Sequence, residues 1–487
     1  MNLFNRVKCV AFNVFYYKCA LLIFLIPTLL APTVSFNYKL LFVMLAWGAV
    51  LCLHDLFTKR TFMRAPGMLW LAAFLVVFFV SVILNYKNNF GGNFAVFGYT
   101  VIALLLLYPD HTGGDKDRIV NELFVLDNIF IAMTAVLSTI SLCMFVVKYC
   151  ELFTFDGRKF IIGWYSNRLY GLYKNMGYMT SAIGLALIVI QTTVMKARQK
   201  KAGRLYFAFL IYTAVVNFIS MCMENAKGAF ISLAVFVFVF VFFNVLSRLT
   251  LKSTALIRRI TITITVAVAS SALFLGSVYG LRPLLAYVPS IYESIVTNDS
   301  EDNDHNILDD IVQEEIDREI PENYGAFTGR PKIWKFGIEQ FLKKPLFGYG
   351  ANSHSQYKIV DTGLVHFHNL IVQSLVSVGL IGSVFIAIFL IKRLVISLIT
   401  VFKKIADNDL YLPICVSVIA LLFMFLINSM AEVTILFQAR FSMFIFWIML
   451  GYLTALLGTQ KKKEDLIVEK AADCIDERFL KAGKNAK

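Results

Sequence analysis

Long apolar runs dominate this sequence and restrict its fold more than any other feature. They fall at residues 20–35, 39–54, 67–84, 92–108, 124–147, 175–194, 205–223, 227–246, 260–279, 367–391, 411–430 and 434–457. A helix needs roughly 20 apolar residues to cross the hydrocarbon core of a bilayer. Backbone polar groups inside lipid must be satisfied within the segment itself, which selects helices. Only 16% of the 487 residues are charged, where a soluble domain is nearer a quarter. The expected class is an all-α polytopic membrane protein with about twelve transmembrane helices.

Orientation follows from the basic residues. With the N-terminus in the cytoplasm, the cytoplasmic loops hold Lys59, Arg60 and Arg64, then Lys116 and Arg118, then Lys196 to Arg204, then Arg248 to Arg259, then Lys392 to Lys404. Positive loops mark the inner face. The net charge of +14 is therefore read as topology, not as a nucleic-acid footprint. Arg6, Lys8 and Lys18 precede the first run without a convincing small-residue cleavage site, so that run is expected to remain as a helix. The eight cysteines show neither a metal spacing nor a dense cluster and are read as structural.

The expected organisation is transmembrane helices 1–9 over residues 1–279, a large outer loop over 280–366, helices 10–12 over 367–458, and a cytoplasmic tail over 459–487. A shorter outer loop spans about 148–174. Within the large loop, residues 298–322 are acidic and carry apolar residues at helical spacing, which suggests an amphipathic surface helix. Residues 326–350 are basic and aromatic, with Arg330, Trp334, Lys335, Lys343 and Lys344 before a Pro345–Gly350 turn.

In this topology the helices beginning near 175, 227 and 367 present their N-termini outward. Such ends carry free N–H groups and a partial positive charge suited to phosphate. Arg168 and Lys174 precede the first, Lys227 opens the second, and His366, His368 and Asn369 open the third. Arg330 lies in the loop leading to the third. These cations favour a diphosphate ligand, and a neutral His368 can take a proton from a hydroxyl. Each has a plainer reading: a snorkelling Lys227, an ordinary loop Arg168, a surface histidine. His354, His366 and His368 match no recognised zinc spacing. Glu432 and Glu224 are read as structural partners for Arg440 or Lys227.

Residues 329–382 join Arg330, Trp334, Pro345 with Gly348 and Gly350, His368–Asn369, and Gly379 with Gly382. This order resembles the domain shared by the O-antigen ligase and O-antigen polymerase (Wzy-type) superfamily. Arg168–Asn175, RLYGLYKN, is similar to an earlier motif of that family, and AKGA at 226–229 is similar to another. Lys227 stands where the family usually has Arg, Ala226 where it has Ser, and Met176–Gly177 where it has Pro–Asn.

The resemblance implies a class C-like glycosyltransferase architecture with one large extracytoplasmic loop between helices 9 and 10. It implies a metal-independent inverting enzyme without cofactor, sited at the outer face of a bacterial plasma membrane. The donor would be an undecaprenyl-diphosphate-linked glycan, and the acceptor a glycan or lipid-glycan. His368 and Arg330 would be catalytic, Arg168, Lys227 and Arg330 would bind the diphosphate, and Asn175, Trp334 and Asn369 would support them. Membrane lipids and polysaccharide-assembly proteins would be its partners. A transporter or flippase of lipid-linked glycan is the alternative. Against it, no internal repeat is visible and the polar candidates gather at one membrane edge.

Overall fold

The structure, a computed structural model, describes residues 8, 10–111, 114–155, 158–165, 167–174, 176–199, 201–250, 255–297, 330–352, 366–407 and 409–458. Helices dominate: α1 (Val14–Leu25), α2 (Asn37–Phe57), α3 (Met68–Leu84), α4 (Phe90–Val101), α5 (Lys116–Val146), α6 (Met176–Gln199), α7 (Arg204–Glu224), α8 (Lys227–Thr250), α9 (Leu256–Ala286), α10 (Val288–Thr297), α11 (Arg330–Lys343), α12 (Leu370–Asp407), α13 (Leu412–Asn428) and α14 (Phe441–Leu457). Among the described residues, seven helices are long and apolar enough to cross a membrane, and four shorter apolar helices accompany them. This is a polytopic, mainly helical membrane protein. The acidic stretch 298–322, His354 and the tail 459–487 lie outside the described residues.

Two local expectations are corrected. The first apolar run is not one helix over 20–35. The chain leaves α1 at Leu25 and makes two short 3-10 turns, Pro27–Leu29 and Val34–Phe36. Pro27, which lacks a backbone N–H and fixes its φ, opens the first of these turns and suits it better than a helix interior. Residues 148–174 are not an open loop. They form a three-stranded antiparallel sheet, β1 (Cys150–Phe155), β2 (Arg158–Tyr165) and β3 (Arg168–Gly171). Tyr165 pairs with Arg168 across the second turn. The alternation of Phe153, Phe160 and other large apolar residues suits a pleated surface, and their rings stack.

The described residues form two compact units. One comprises residues Met1–Ala20, Leu41–Glu122 and Arg330–Lys487; the other comprises Leu21–Leu40 and Leu123–Gly329. In the first, α3 packs along α12, and α13 and α14 are buried over nearly their full length. A helix apolar on all sides belongs either in lipid or in a protein interior, and α14 takes the interior. Lys18, read from sequence as a flanking charge, is fully buried there. Its Nζ donates to Asp110 Oδ2 at 2.6 Å and lies 4.7 Å from the centre of the Tyr452 ring. A buried ion needs such partners to offset lost hydration.

In the second unit, α10 follows α9 after one residue, and α8 packs along α9. Strand β3 packs on α7, whose final residues Glu224 and Asn225 are buried. Most of α9 is exposed, Leu273 by 74%. The same unit buries an ion pair, Lys196 Nζ to Asp127 Oδ2 at 2.6 Å, with Thr193 donating to the same oxygen.

Candidate functional site

Helix α12 fixes the site. Its first-turn N–H groups lack partners inside the helix, and Asn369 supplies one: its Oδ1 accepts from Ile371 N at 2.9 Å and Val372 N at 3.1 Å. Asparagine is a favoured N-cap for this reason. Leu370 N donates to Ser429 O at 2.8 Å, and Asn369 Nδ2 donates to Met430 O at 3.1 Å. The start of α12 is thereby tied to the segment that follows α13. Glu432 lies on that segment, its N–H donating to Asn428 O at 2.8 Å.

The cap also turns the preceding residue. His368 has φ +49°, in the left-handed region that histidine enters more readily than most residues. Its Nδ1 faces Glu432 Oε1 at 2.7 Å, and His366 Nε2 faces Glu432 Oε2 at 3.0 Å. The two rings sit 4.0 Å apart, centre to centre. Arg440 completes the group, with Nη1 3.4 Å from Glu432 Oε2 and Nη2 3.4 Å from His366 Nε2. Thus Glu432 pairs with Arg440, as expected, and also engages both histidines, which the sequence did not reveal. The signal for it was a carboxylate between two apolar helices, a costly position that tends to be functional.

Burial would raise the Glu432 carboxyl. The hydrogen bonds from His366 and His368 and the charges beside it outweigh that and hold it well below the usual carboxylate range. Burial pushes His366 down to about 4, with Arg440 adding to the effect and the Glu432 hydrogen bond opposing it. His366 is therefore neutral at physiological pH, and its Nδ1 is enclosed without a hydrogen-bond partner. Donor atoms of His366, His368 and Glu432 lie within 4.8 Å of one another, a spacing that a small cation can bridge. Arg440 already sets a positive charge against two of the three.

Helix α11, which Arg330 opens, packs against the segment that flanks His368. Ile333, Tyr349, Phe367, Val372 and Val376 form one buried cluster, with Trp334 packed against it. Gly337 allows the approach: a Cβ there would lie 2.4 Å from Val372 Cγ1 and 2.9 Å from Phe367 Cδ1. Residues 330, 333, 334 and 337 share one helix face at the 3.6-residue period. Arg330 thus lies about 10 Å along that face from Gly337. Gly337→Ala is expected to cost about 1–3 kcal/mol through forced repacking, read as a lower Tm of the purified protein.

The Gly348–Gly350 turn holds α12 from the other side. At Gly379 the helix breaks, with φ +70° and ψ −173°. Backbone groups near the break are recaptured: Tyr349 N donates to Val376 O at 2.8 Å, Gly350 N to Ser377 O at 2.9 Å, and Leu380 N to Pro345 O at 2.7 Å. Ser81 Oγ also donates to Ser377 O at 2.9 Å, and Asn85 Nδ2 to Gly348 O at 3.1 Å. The two glycine motifs seen in sequence are therefore two halves of one joint.

The remaining sequence candidates lie in the second unit. Arg168 opens β3 and is half-buried. Lys174 donates its N–H to Leu29 O at 2.9 Å, and burial pushes its amine down to about 8. Lys227 is the first residue of α8 and is exposed, two residues beyond the left-handed Asn225 that ends α7. Asn175 lies outside the described residues.

Residues 210–387 match the family model described as O-antigen ligase. That span includes Lys227, Arg330, Trp334, His368 and Asn369, and the match supports the resemblance to the O-antigen ligase and polymerase superfamily. A family of that description implies glycosyl transfer on lipid-linked glycans at a bacterial membrane. No curated protein matches the chain.

Proposed function

We propose that this protein transfers a glycan from an undecaprenyl-diphosphate-linked donor to an acceptor hydroxyl at the outer face of the plasma membrane. It either polymerises repeat units or ligates a finished glycan to a lipid-glycan. The observation that carries the reading is His368: Nδ1 is held on Glu432, which directs Nε2 outward as a base, and the residue falls inside the O-antigen ligase match.

In the proposed reaction the acceptor oxygen attacks the anomeric carbon and its proton passes to His368 Nε2. The bond from that carbon to the diphosphate oxygen breaks, and its electron pair leaves with the lipid diphosphate. Attack opposite the leaving group inverts the anomeric centre. Arg330, with Arg168 and Lys227, would balance the charge gathering on the diphosphate, a contribution that grows in the transition state. The step requires no metal, because these cations and the helix ends supply the positive potential. Asn369, which caps the helix start beside His368, would support the site together with Trp334 and Asn175. The topology in this reading has twelve spans, both termini in the cytoplasm, and a large outer loop between spans nine and ten. Polysaccharide-assembly proteins would be partners.

Arg330→Ala is expected to lower kcat/KM by about 10- to 100-fold, the worth of one charge-assisted hydrogen bond, measured with lipid-linked donor and purified protein. In cells, surface polysaccharide on a gel should be lost from Arg330→Ala and His368→Ala strains. Normal product from well-expressed variants would overturn the reading.

A further inference from the structure

We infer that Glu432 is a positioning residue that divides the two histidines into one base and one brace, with Arg440 setting which oxygen faces which ring. The inference rests on the transfer reading above only for the name of the reaction.

Each imidazole offers one proton when neutral. The 3.0 Å contact assigns the His366 proton to Nε2, facing Glu432 Oε2. Its other nitrogen is sealed in the interior, so His366 can neither give a proton to a substrate nor take one. The 2.7 Å contact assigns the His368 proton to Nδ1, facing Oε1. The His368 Nε2 lone pair is left without a partner among the described residues, on a side chain that keeps 15% of its surface. A carboxylate on Nδ1–H that fixes the tautomer and steadies the imidazolium is the arrangement that serves nucleophile activation in hydrolases.

Only a carboxylate meets both rings at once, because both of its oxygens accept. A glutamine amide has one acceptor. Its NH2 cannot comfortably face the Arg440 guanidinium beside the Oε2 position, so it turns to His368. Donation from that NH2 to Nδ1 moves the ring proton to Nε2 and removes the base while leaving size and packing unchanged.

The test uses the full-length protein in detergent or nanodiscs with two readouts. Diethyl pyrocarbonate attacks unprotonated imidazole nitrogen, and mass spectrometry reads the label on each histidine. In the wild type His368 is expected to label and His366 to stay unlabelled. Glu432→Gln should cut His368 labelling by about tenfold, the bias of one hydrogen bond. It should also lower kcat by about 10²-fold with donor KM little changed. Glu432→Asp keeps two acceptor oxygens and should recover most of both signals. Wild-type labelling of His368 in Glu432→Gln overturns the inference, as does an aspartate variant no better than glutamine. If labelling responds as expected but no variant alters glycan transfer, the positioning role stands and the transfer reading falls.

Discussion

His368→Ala should lower the transfer rate by about 10²- to 10⁴-fold, the usual contribution of a positioned general base. The loss should fall on kcat, because the proton moves only as the new bond forms and donor binding draws on other residues. The alanine retains the cap at Asn369, whose side chain contacts Ile371, Val372 and Met430 rather than the histidine ring. The variant should therefore keep the helix start and express, with Tm lowered by the loss of the hydrogen bond to Glu432, about 1–3 kcal/mol. Single-turnover transfer from a lipid-linked donor, followed by separation of labelled glycan, measures the effect. A rate within about tenfold of wild type would assign the proton to some other group.

Gly379→Val is expected to have the largest structural effect. Its Cβ would sit 2.2 Å from Leu346 O and 2.3 Å from Leu346 C. Its backbone, at φ +70° and ψ −173°, lies in a region that only glycine occupies without strain. Strain and overlap together should cost about 2–6 kcal/mol. The damage should also reach the site, since the residues before the break join the cluster that includes Phe367, the residue between the two histidines. The expected readout is a marked fall in Tm and in yield of monodisperse protein, with transfer lost in the fraction that folds. A valine variant with wild-type Tm would mean that the joint opens at little cost. Gly348→Val should behave similarly, because its Cβ would lie 2.4 Å from Val376 O.

The residues of the site were unequally legible. His368, Asn369 and Arg330 were named from sequence because the histidine and asparagine open an apolar run, the arginine lies in the segment leading to it, and all three carry the resemblance. The paired glycine motifs were visible as motifs, but their contact with one another was not. Glu432 was seen only as a charge near Arg440. Its bond to His368 spans 64 positions, and no periodicity encodes a contact between a loop and a helix start that far apart. Lys18 was read as a flanking cation, yet it is buried against Asp110, because a lysine beside an apolar run looks the same whether it reaches water or a carboxylate.

Hydropathy by itself determined which segments leave water, since the cost of an exposed apolar run or an unpaired backbone in lipid depends on composition and length alone. It also located the helix start that carries His368. Only the tertiary structure decided which apolar helices are enclosed. Helix α14 is buried while most of α9 is exposed, and lipid and protein interior are equally apolar, so both accept the same residues. The tertiary structure likewise decided the partner of His368, because a proton's position depends on the atom facing it, and that atom arrives from another part of the chain.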